Sequence, residues 1–496
     1  MPSGGKDQPL AFKESLYAPS RSASLVFKFH FCINRQVNIY YYKISRGFWL
    51  LQLFRYTTGM EFIKSLIPES LLKFIRPFYH GLVAVFAAIY FGRPSEKMVV
   101  IGVTGTSGKS TTAAMLAHIF NVSNKKCGYI STVNFFDGKT IHQNKHGLSM
   151  PGGWLMQKQL ALMLRNACKY AIVECTSEGL GQNRHLGINF DAAVFTNLTQ
   201  AHLLAHGSFG NYQKAKSLLF SGLERGGNKS FFPQKIIVAN LDDPMSGFFL
   251  SFPASKKFSI SFSGLSAPDA DKVFSAWIIE AGPPIKFEVD GQSFVLDLLG
   301  EFNAKNAGLA ATAAFAFGVD LKQSASALKS FLGVAGRMEA VPNALGIKII
   351  VDYGCEPASF KSALEATVML PHTRLIHVFG STGGHRDVSK RFEFGNISAQ
   401  YANIIIITND DVYSSDPMDI AKNIESGIKA FKLSRPEYEI ILDRKTAIAR
   451  ALVLAREGDT VLITGKGSER FLVLPQNKRI EWDDVSVVKQ EIAKLV

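Results

Sequence analysis

The stretch MVVIGVTGTSGKSTTAAMLAHIF, residues 98–120, decides how this chain folds. It starts with a run of mostly β-branched residues at 98–103, passes through a loop rich in glycine, and ends in an apolar segment at 113–120 that is typical of a helix. A strand, a glycine loop and a helix in this order aim backbone N–H groups and a helix N-terminus at a polyphosphate. The stretch therefore predicts a nucleotide-binding loop.

The loop also predicts individual contacts. Lys109 would reach the β- and γ-phosphates of a nucleotide, and the Ser110 hydroxyl would bind Mg²⁺. The spacing departs from the usual phosphate loop, whose first glycine would fall on Val103. An ordinary strand-to-helix turn is the alternative, but such turns rarely carry the run G-K-S-T-T. The predicted nucleotide-binding residues are Gly105, Thr106, Ser107, Gly108, Lys109, Ser110 and Thr111.

Strand-like runs alternate with helical segments on both sides of the loop. Further strands are predicted at 127–132, 170–175, 192–197, 235–240, 348–353, 375–380, 403–408, 438–443 and 460–464, with an antiparallel excursion at 275–299. This rhythm predicts an α/β fold in which a phosphate-loop domain with a mainly parallel sheet is followed by a second Rossmann-like α/β domain. The central domain would span residues 98–335 and the second domain residues 336–496, with a hinge at Gly336-Arg337.

Polar residues follow two of the predicted strands. Glu174 lies at the end of one strand, where a buried strand normally finishes with apolar residues, so its carboxylate is a candidate metal ligand. A helix-capping or salt-bridged acid is the alternative. His202 and His206 lie just past the next strand and are candidate ligands of Mg²⁺ or phosphate.

Length and composition exclude several classes of protein. A chain of 496 residues with 47% apolar residues predicts about two to four domains, which excludes a disulfide miniprotein, a collagen and a disordered tail. The net charge of +14 is concentrated in residues 1–59, which carry eight Lys/Arg against two Asp/Glu, so nucleic acid is not a predicted partner. Five scattered cysteines without a C-x-x-C pair predict a reducing cytoplasm.

Residues 1–97 form an atypical N-terminal region. Residues 1–59 show no periodicity and no secretory signal, and an upstream extension before a true start at Met60 is one interpretation. Residues 60–97 are predicted to be helical and apolar. The run at 78–91 is shorter than the ~20 residues that cross a bilayer. Residues 61–92 are therefore predicted to make either a peripheral membrane contact or a helix packed on the next domain.

The ordered motifs resemble one known family. They are Thr104 to Thr111; Glu174; Thr196-Asn197-Leu198-Thr199 with His202 and His206; Tyr212 to Phe220; Asn240 to Pro244; Phe302 to Ala307; Gly336 to Glu339; Val351-Asp352-Tyr353; Gly384 to Asp387; and Gly465 to Glu469. This series is similar to the Mur ligases, and most of all to the MurE-type UDP-N-acetylmuramoyl-tripeptide synthetases, over residues 98–496.

The resemblance implies an ATP-dependent ligase that adds an amino acid to a UDP-N-acetylmuramoyl-peptide in peptidoglycan precursor synthesis. ATP would phosphorylate a carboxylate, and an amine would then displace phosphate to form an amide. ATP and Mg²⁺ would be needed, and a monomer is expected. The implied catalytic residues are Lys109, Glu174, His202 and Lys216, of which Ser110, Glu174, His202 and a carbamylated Lys216 would bind metal. Nucleotide contacts are implied at Asn306, Arg337 and Asp352, and substrate contacts at Ser177, Arg184, Asp410, Asp411, Tyr413, Gly465 and Glu469.

Several positions depart from the family pattern. Residues 1–97 show none of the usual motifs of the uridine-binding domain, and Glu178 and Cys355 stand where histidines are usual. Tyr413 replaces the arginine that pairs with a distal carboxylate in diaminopimelate-adding members, so an amino acid with a distal amine, lysine or ornithine, is expected. Two alternatives remain: another amide ligase of the superfamily, acting on polyglutamate or a lipid-linked precursor, and an ATP-binding scaffold with weak activity.

Overall fold

The structure is a computed structural model that describes residues 69–144, 147–199, 206–384, 388–433 and 436–495, together with 32–33 and 36–37. A short antiparallel ribbon, β1 (Cys32–Ile33) and β2 (Gln36–Val37), lies in a unit that spans Met1–Ile75. The second compact unit spans Arg76–Val496. Apart from the ribbon, the interpretation of residues 1–59 lies outside the described residues, as do the roles implied for His202 and for residues 385–387.

The remaining strands are β3 (Val99–Thr104), β4 (Cys127–Ile130), β5 (Asn134–Phe136), β6 (Ile141–Gln143), β7 (Tyr170–Cys175), β8 (Ala192–Phe195), β9 (Ile236–Asn240), β10 (Lys256–Ser261), β11 (Lys272–Glu280), β12 (Ile285–Val289), β13 (Gln292–Leu296), β14 (Glu339–Ala340), β15 (Lys348–Val351), β16 (Leu375–Phe379), β17 (Ile404–Ile407), β18 (Glu437–Ile440), β19 (Thr460–Ile463), β20 (Phe471–Val473) and β21 (Arg479–Glu481).

The helices are α1 (Glu69–Tyr90), α2 (Lys109–Val122), α3 (Gly153–Arg165), α4 (Ser177–Gly181), α5 (Phe209–Arg225), α6 (Ser246–Leu250), α7 (Glu301–Ala316), α8 (Leu321–Leu328), α9 (Pro357–Val368), α10 (Ser389–Tyr401), α11 (Pro417–Ala430), α12 (Arg444–Leu454) and α13 (Asp484–Ile492). Short 3₁₀ turns lie at Pro94–Lys97 and Pro475–Asn477. None of the described helices is both long and apolar enough to span a membrane.

An eleven-stranded sheet places the glycine loop at its centre. The strand order is β13-β12-β11-β10-β9-β8-β3-β7-β4-β5-β6. From β4 through β11 all neighbours pair in parallel, and β3 lies between β7 and β8. Antiparallel hairpins extend both edges, of which β12–β13 matches the predicted excursion and β5–β6 was not predicted. The loops after β3, β7 and β8 therefore meet at one edge of the sheet.

Helices cover both faces of this sheet. On one face, α2 packs against α7, and the contact is built largely from alanines, including Ala113, Ala117, Ala307, Ala310 and Ala314. Alanine side chains let two helix backbones approach closely. The contact brings Asn306 of α7 close to the beginning of α2. Helices α3, α5 and α6 contribute to a second apolar core on the other face.

The second sheet has six strands in the order β14-β15-β19-β16-β17-β18. All neighbours pair in parallel except β14, which is an antiparallel edge strand. One face packs on α9, α10 and α11, and the other on α12 and α13. Because a mainly parallel phosphate-loop sheet is followed by a second parallel sheet covered by helices, the predicted fold class is confirmed.

Candidate active site

The glycine loop between β3 and α2 adopts a conformation that requires glycine. Gly105 has a φ of 153° and Gly108 a φ of 80°. A Cβ at Gly105 would lie 1.9 Å from Oγ1 of Thr196, and a Cβ at Gly108 would lie 2.3 Å from Oδ1 of Asn306. Both positions therefore need a residue without a side chain, because the backbone is left-handed or closely approached there.

Two residues after β8 brace this loop. The N–H of Ser107 donates to Oδ1 of Asn197 at 2.9 Å, and Nδ2 of Asn197 donates back to the Ser107 carbonyl at 3.1 Å. The Thr196 hydroxyl donates to the same carbonyl at 2.7 Å. This bracing role of Thr196 and Asn197 was not predicted from the sequence. Thr196 and Asn197 are polar residues directly after a buried strand. This position, which also drew attention to Glu174, is the sequence feature that could have identified them.

Lys109 lies at the first turn of α2 and is buried against the loop. Its Nζ donates to the carbonyl of Thr106 at 2.8 Å. Burial lowers the pKa of Lys109, and nearby Arg337 lowers it further, while Glu174 opposes both. A buried cation held to one carbonyl is poised for an anionic ligand, since an anion would stabilise its charge.

An oxygen-rich cluster lies beside Lys109. The Ser110 hydroxyl donates to Oε2 of Glu174 at 2.8 Å, and the N–H and hydroxyl of Thr132 donate to the two oxygens of the same carboxylate at 2.8 Å each. Glu174 is buried at the end of β7. Hydroxyl and carboxylate oxygens are the ligands that Mg²⁺ prefers, so Ser110 and Glu174 fit a magnesium ion bound with nucleotide phosphates.

Lys216 of α5 also reaches the loop. Its Nζ donates to the carbonyl of Gly105 at 2.6 Å and lies 4.6 Å from the ring centroid of Tyr212. Burial lowers its pKa well below the ordinary value, and Lys109 adds to the effect. Lys214, two residues earlier on the same helix, is exposed. Of these two lysines, Lys216 therefore lies in the site and Lys214 lies outside it.

Ser177 and Arg184 lie on the segment after β7. The Ser177 hydroxyl is 3.0 Å from Nε2 of His206. Arg184 donates through Nη1 to the Met150 carbonyl at 2.7 Å, whereas its buried Nε has no hydrogen-bond partner among the described residues. Its Nη2 also donates to Oε1 of Gln182 at 2.8 Å.

Arg337 and Asp352 lie where the two sheets meet. Asp352, directly after β15, accepts hydrogen bonds from the N–H groups of Met338 (2.9 Å) and Gly354 (2.7 Å), which fixes the turn after the central sheet. Burial raises the pKa of Asp352, and Arg337 opposes that shift. The Arg337 guanidinium lies 4.2 Å from the ring centroid of Tyr353, and its Nε has no hydrogen-bond partner among the described residues.

A cavity of about 730 Å³ opens beside Arg337. Its lining includes Leu299, Val334, Met338 and Ile350. A cleft of this size, lined by polar and apolar groups in about equal share and with one guanidinium at its side, can hold a nucleoside. Asn306, the other implied nucleotide contact, accepts a long hydrogen bond from the Thr112 hydroxyl at 3.4 Å and lies against the loop.

Cys355 lies in the same region. Burial raises the pKa of its thiol to about 12, so the group stays neutral and donates only weakly. An imidazole at this position would offer a stronger donor to an anion. The replacement of histidine by Cys355 therefore weakens, but does not remove, the polar lining near Arg337.

A second polar cluster follows β17 and β19 of the six-stranded sheet. Nζ of Lys466 donates to Oδ1 of Asp411 at 2.8 Å and to Oε2 of Glu469, and lies 3.8 Å from Oδ1 of Asp410. Burial alone would lower the pKa of Lys466, but the three carboxylates raise it above the ordinary value. The three carboxylates were predicted as site residues from the sequence, but the lysine that they surround was not. Three carboxylates thus surround one ammonium. Burial raises the pKa of Asp410 and that of Glu469, and Lys466 opposes both shifts.

Gly465 and Tyr413 border this cluster. A Cβ at Gly465 would lie 2.6 Å from Oδ2 of Asp410, so the chain approaches the carboxylate directly. Tyr413 has a φ of 50° and its side chain lies next to Gly384. The structure thus groups the sequence-predicted residues into a loop centre around Lys109 and a carboxylate centre around Lys466. His202 lies outside the described residues.

Comparison with known proteins agrees with this arrangement. The family description "Mur ligase middle domain" matches residues 103–314, and "Mur ligase, glutamate ligase domain" matches residues 336–467. The chain is 34% identical to a UDP-N-acetylmuramoyl-L-alanyl-D-glutamate–2,6-diaminopimelate ligase of Geobacillus kaustophilus over 411 residues, 82% of each chain. It is also 34% identical to a UDP-N-acetylmuramyl-tripeptide synthetase of Borreliella burgdorferi, covering 83% of this chain and 79% of that one.

Solved structures show the same fold. A diaminopimelate ligase structure superimposes with a TM-score of 0.53 at 27% identity, covering 80% of this chain and 79% of the other. The MurF ligase of Thermotoga maritima, solved in complex with ADP, gives a TM-score of 0.57 at 17% identity over 85% of each chain. The second likeness concerns the fold alone.

Proposed function

Because this chain belongs to the Mur ligase family, we propose that it is an ATP-dependent amide ligase that adds an amino acid to a UDP-N-acetylmuramoyl-peptide in peptidoglycan precursor synthesis. The observation that carries the proposal is the convergence of Lys109, the Ser110–Glu174 pair and Lys216 on one glycine loop. In this proposal residues 98–335 bind ATP, and residues 336–496 deliver the amino acid.

The loop residues would hold the nucleotide. The N–H groups at the start of α2 and the Lys109 ammonium would bind the phosphates, since both offer positive charge in a buried setting. Ser110 and Glu174 would hold Mg²⁺, which neutralises phosphate charge when it is bound. Asn306, Arg337 and Asp352 would contact the nucleotide, and of these three Arg337 lines the cavity of about 730 Å³.

Lys216 would act in carbamylated form. Because burial lowers its pKa well below the usual range, the ammonium loses its proton more readily, and the neutral amine carries the lone pair that attacks carbon dioxide. A new N–C bond forms as one C=O π bond of carbon dioxide opens, its electron pair moves to oxygen, the nitrogen loses a proton to solvent, and the product is a carbamate anion. This anion would relieve the repulsion between Lys216 and Lys109 and offer oxygen ligands for a second Mg²⁺.

Ser177 and Arg184 would bind the muramoyl-peptide. The Arg184 guanidinium is suited to a substrate carboxylate, because charge-assisted hydrogen bonds to an arginine are strong and directional. The family also implies His202 in metal binding. Transfer would occur when the carboxyl group becomes an acyl phosphate and the incoming amine displaces phosphate.

The carboxylate cluster would select the amino acid. Its three carboxylates around one ammonium favour a distal ammonium, and Tyr413 supplies a hydroxyl where a charged partner for a distal carboxylate would be needed. We propose lysine or ornithine as the added amino acid. Steady-state assays should give a higher kcat/KM for lysine than for meso-diaminopimelate, by about tenfold or more. A preference for meso-diaminopimelate would overturn the assignment of the amino acid while leaving the ligase activity standing.

One assay tests the activity. Phosphate release from ATP should require both the amino acid and UDP-N-acetylmuramoyl-dipeptide, and a tripeptide product should appear in equal amount. Phosphate release that needs polyglutamate or a lipid-linked acceptor instead would favour another ligase of the superfamily. The absence of any acceptor-dependent release would leave an ATP-binding scaffold.

A further inference from the structure

In the part of α1 that lies in the second unit, small side chains are buried and large apolar side chains are exposed. Small residues, among them Gly81, Ala84 and Ala87, face the body of the protein and are buried. The approach is close: a Cβ at Gly81 would lie 3.1 Å from the Leu186 side chain, and a Cβ at Gly153 would lie 2.4 Å from that of Ala84. The helix is therefore fixed to the protein through its small residues.

The large apolar side chains of the same helix face solvent. Their spacing places them on one stripe of the helix. The stripe consists of Phe78 (69% exposed), Leu82 (57%), Val85 (42%), Phe86 (51%) and Ile89 (57%), and we call it the outer face of α1. An ordinary surface helix buries such residues and exposes polar ones. A continuous exposed stripe of this kind marks a surface that binds another apolar surface.

Aromatic rings border the outer face. The Trp154 ring of α3 lies with its centroid 5.0 Å from that of Tyr90 and 6.3 Å from that of Phe86. Tyr79 and Tyr90 are themselves exposed. Amphipathic rings of tryptophan and tyrosine favour the boundary between lipid chains and water.

The charges around the outer face have one predominant sign. Arg76, Arg93, Lys97 and Lys158 are exposed near its ends or on the neighbouring α3. Glu96 is the only acidic residue in the sequence from Ser70 to Phe136. An apolar stripe with basic residues around it is complementary to a membrane surface that carries anionic headgroups.

We propose that the outer face of α1 docks on an anionic lipid bilayer, with the helix lying in the plane of the surface. The proposal does not depend on the ligase activity. Asn183 donates through Nδ2 to the carbonyl of Pro77 at 3.4 Å, and Leu186 packs at Gly81, so the segment that contains Arg184 lies directly beside the docked helix. This side of the candidate active site would therefore face the bilayer.

Vesicle flotation with the full chain tests the proposal. The protein is mixed with vesicles of phosphatidylcholine alone or of phosphatidylcholine and phosphatidylglycerol in equal amounts, at low and high salt. The wild type should float with the anionic vesicles, less at high salt and less with phosphatidylcholine alone. The double variant Phe78→Glu/Phe86→Glu should bind at least about tenfold more weakly, because two exposed aromatic side chains lose their lipid contact.

A matched control adds the same charge elsewhere. Ile279 (53% exposed) and Leu433 (91% exposed) lie outside the outer face, so Ile279→Glu/Leu433→Glu should float like the wild type. Equal binding by the Phe78/Phe86 variant would overturn the proposal and direct attention to the basic residues 1–59. Equal loss in both variants would also overturn it, as would a wild-type dimer that dissociates only in the Phe78/Phe86 variant and binds no vesicles.

Discussion

The two sheets use the carboxyl ends of their parallel strands in opposite ways. At the carboxyl ends of β3 and β7, the central sheet holds Lys109 and Lys216 against a glycine loop, with the Glu174 carboxylate nearby. After β17 and β19, the second sheet places three carboxylates around Lys466. One edge is built to receive an anion and the other to receive a cation. A ligase that joins a phosphorylated acid to an amine needs one of each.

The largest expected effect tests the anion-binding side of this comparison. Lys109→Ala should reduce ATP turnover by about 10³-fold or more, because an unneutralised phosphate charge raises the barrier to phosphoryl transfer. The fold should persist, since the buried ammonium has a lowered pKa and its charge does not stabilise the folded state. Phosphate release and thermal unfolding measure the two effects.

Lys322→Ala is the control, because this lysine is exposed on α8. It should match the wild type in both measurements. If soluble Lys109→Ala protein released phosphate at the normal rate, the loop would not be the nucleotide site.

Carbamylation of Lys216 gives the next largest effect. Lys216→Ala should lower ligase activity by about 10²- to 10³-fold, and added short-chain carboxylates should restore part of it by supplying oxygen ligands. Lys214→Ala removes an exposed lysine from the same helix and should leave activity unchanged. Equal activity of the two variants would refute the proposed carbamate.

The sequence predicts more about the loop centre around Lys109 than about the carboxylate centre around Lys466. Most of the loop centre is predictable because its residues are contiguous in the sequence. A strand, a glycine loop and a helix in this order indicate a phosphate-binding site directly. The family predicted from the motifs is confirmed by relatives at 34% identity. The predicted strands that became β3, β4, β7, β8 and β9 lie within about two residues of the observed ones, because buried parallel strands are continuous apolar runs. The parallel strand β10 was not predicted.

Other features were not accessible from the sequence. Lys466 lies 55 positions from Asp411, and Thr196 lies 89 positions from Ser107, so neither pairing leaves a local pattern. The hairpins β5–β6 and β20–β21 have strands of three residues, which are too short to show a period. Long-range hydrogen bonds and very short strands depend on how distant parts of the folded chain pack together. A local sequence pattern therefore does not predict them.

Removing the ammonium of Lys466 should disrupt the carboxylate centre. Lys466→Met keeps the shape of the side chain but removes the ammonium that contacts Asp411 and Glu469 and lies near Asp410. Burial already raises the pKa of Glu469, and the loss of Lys466, which opposes that shift, would raise it further. A carboxyl group with a raised folded-state pKa stabilises the fold when it is protonated, and that stability is lost as pH rises through this pKa.

The variant should therefore lose about 3–5 kcal/mol of unfolding free energy at pH 8 and less at pH 5. Denaturant unfolding at several pH values measures this, and Lys478→Met, at an exposed lysine, should show no such slope. A loss that is the same at every pH would mean that the carboxylates are not held ionised by Lys466.

The smallest effect concerns how the loop is positioned. Thr196→Val removes one hydrogen bond to the Ser107 carbonyl, which still accepts from Asn197, so the stability cost should be about 1 kcal/mol. Because the loop is then less well fixed, KM for ATP should rise about fivefold with little change in kcat.

Thr367→Val is a matched control, since it removes a buried hydrogen bond of 2.7 Å to the Ala363 carbonyl within α9. It should cost similar stability and leave KM unchanged. A rise in KM for both variants would show that general loosening, and not the brace on Ser107, sets the affinity of the loop for ATP.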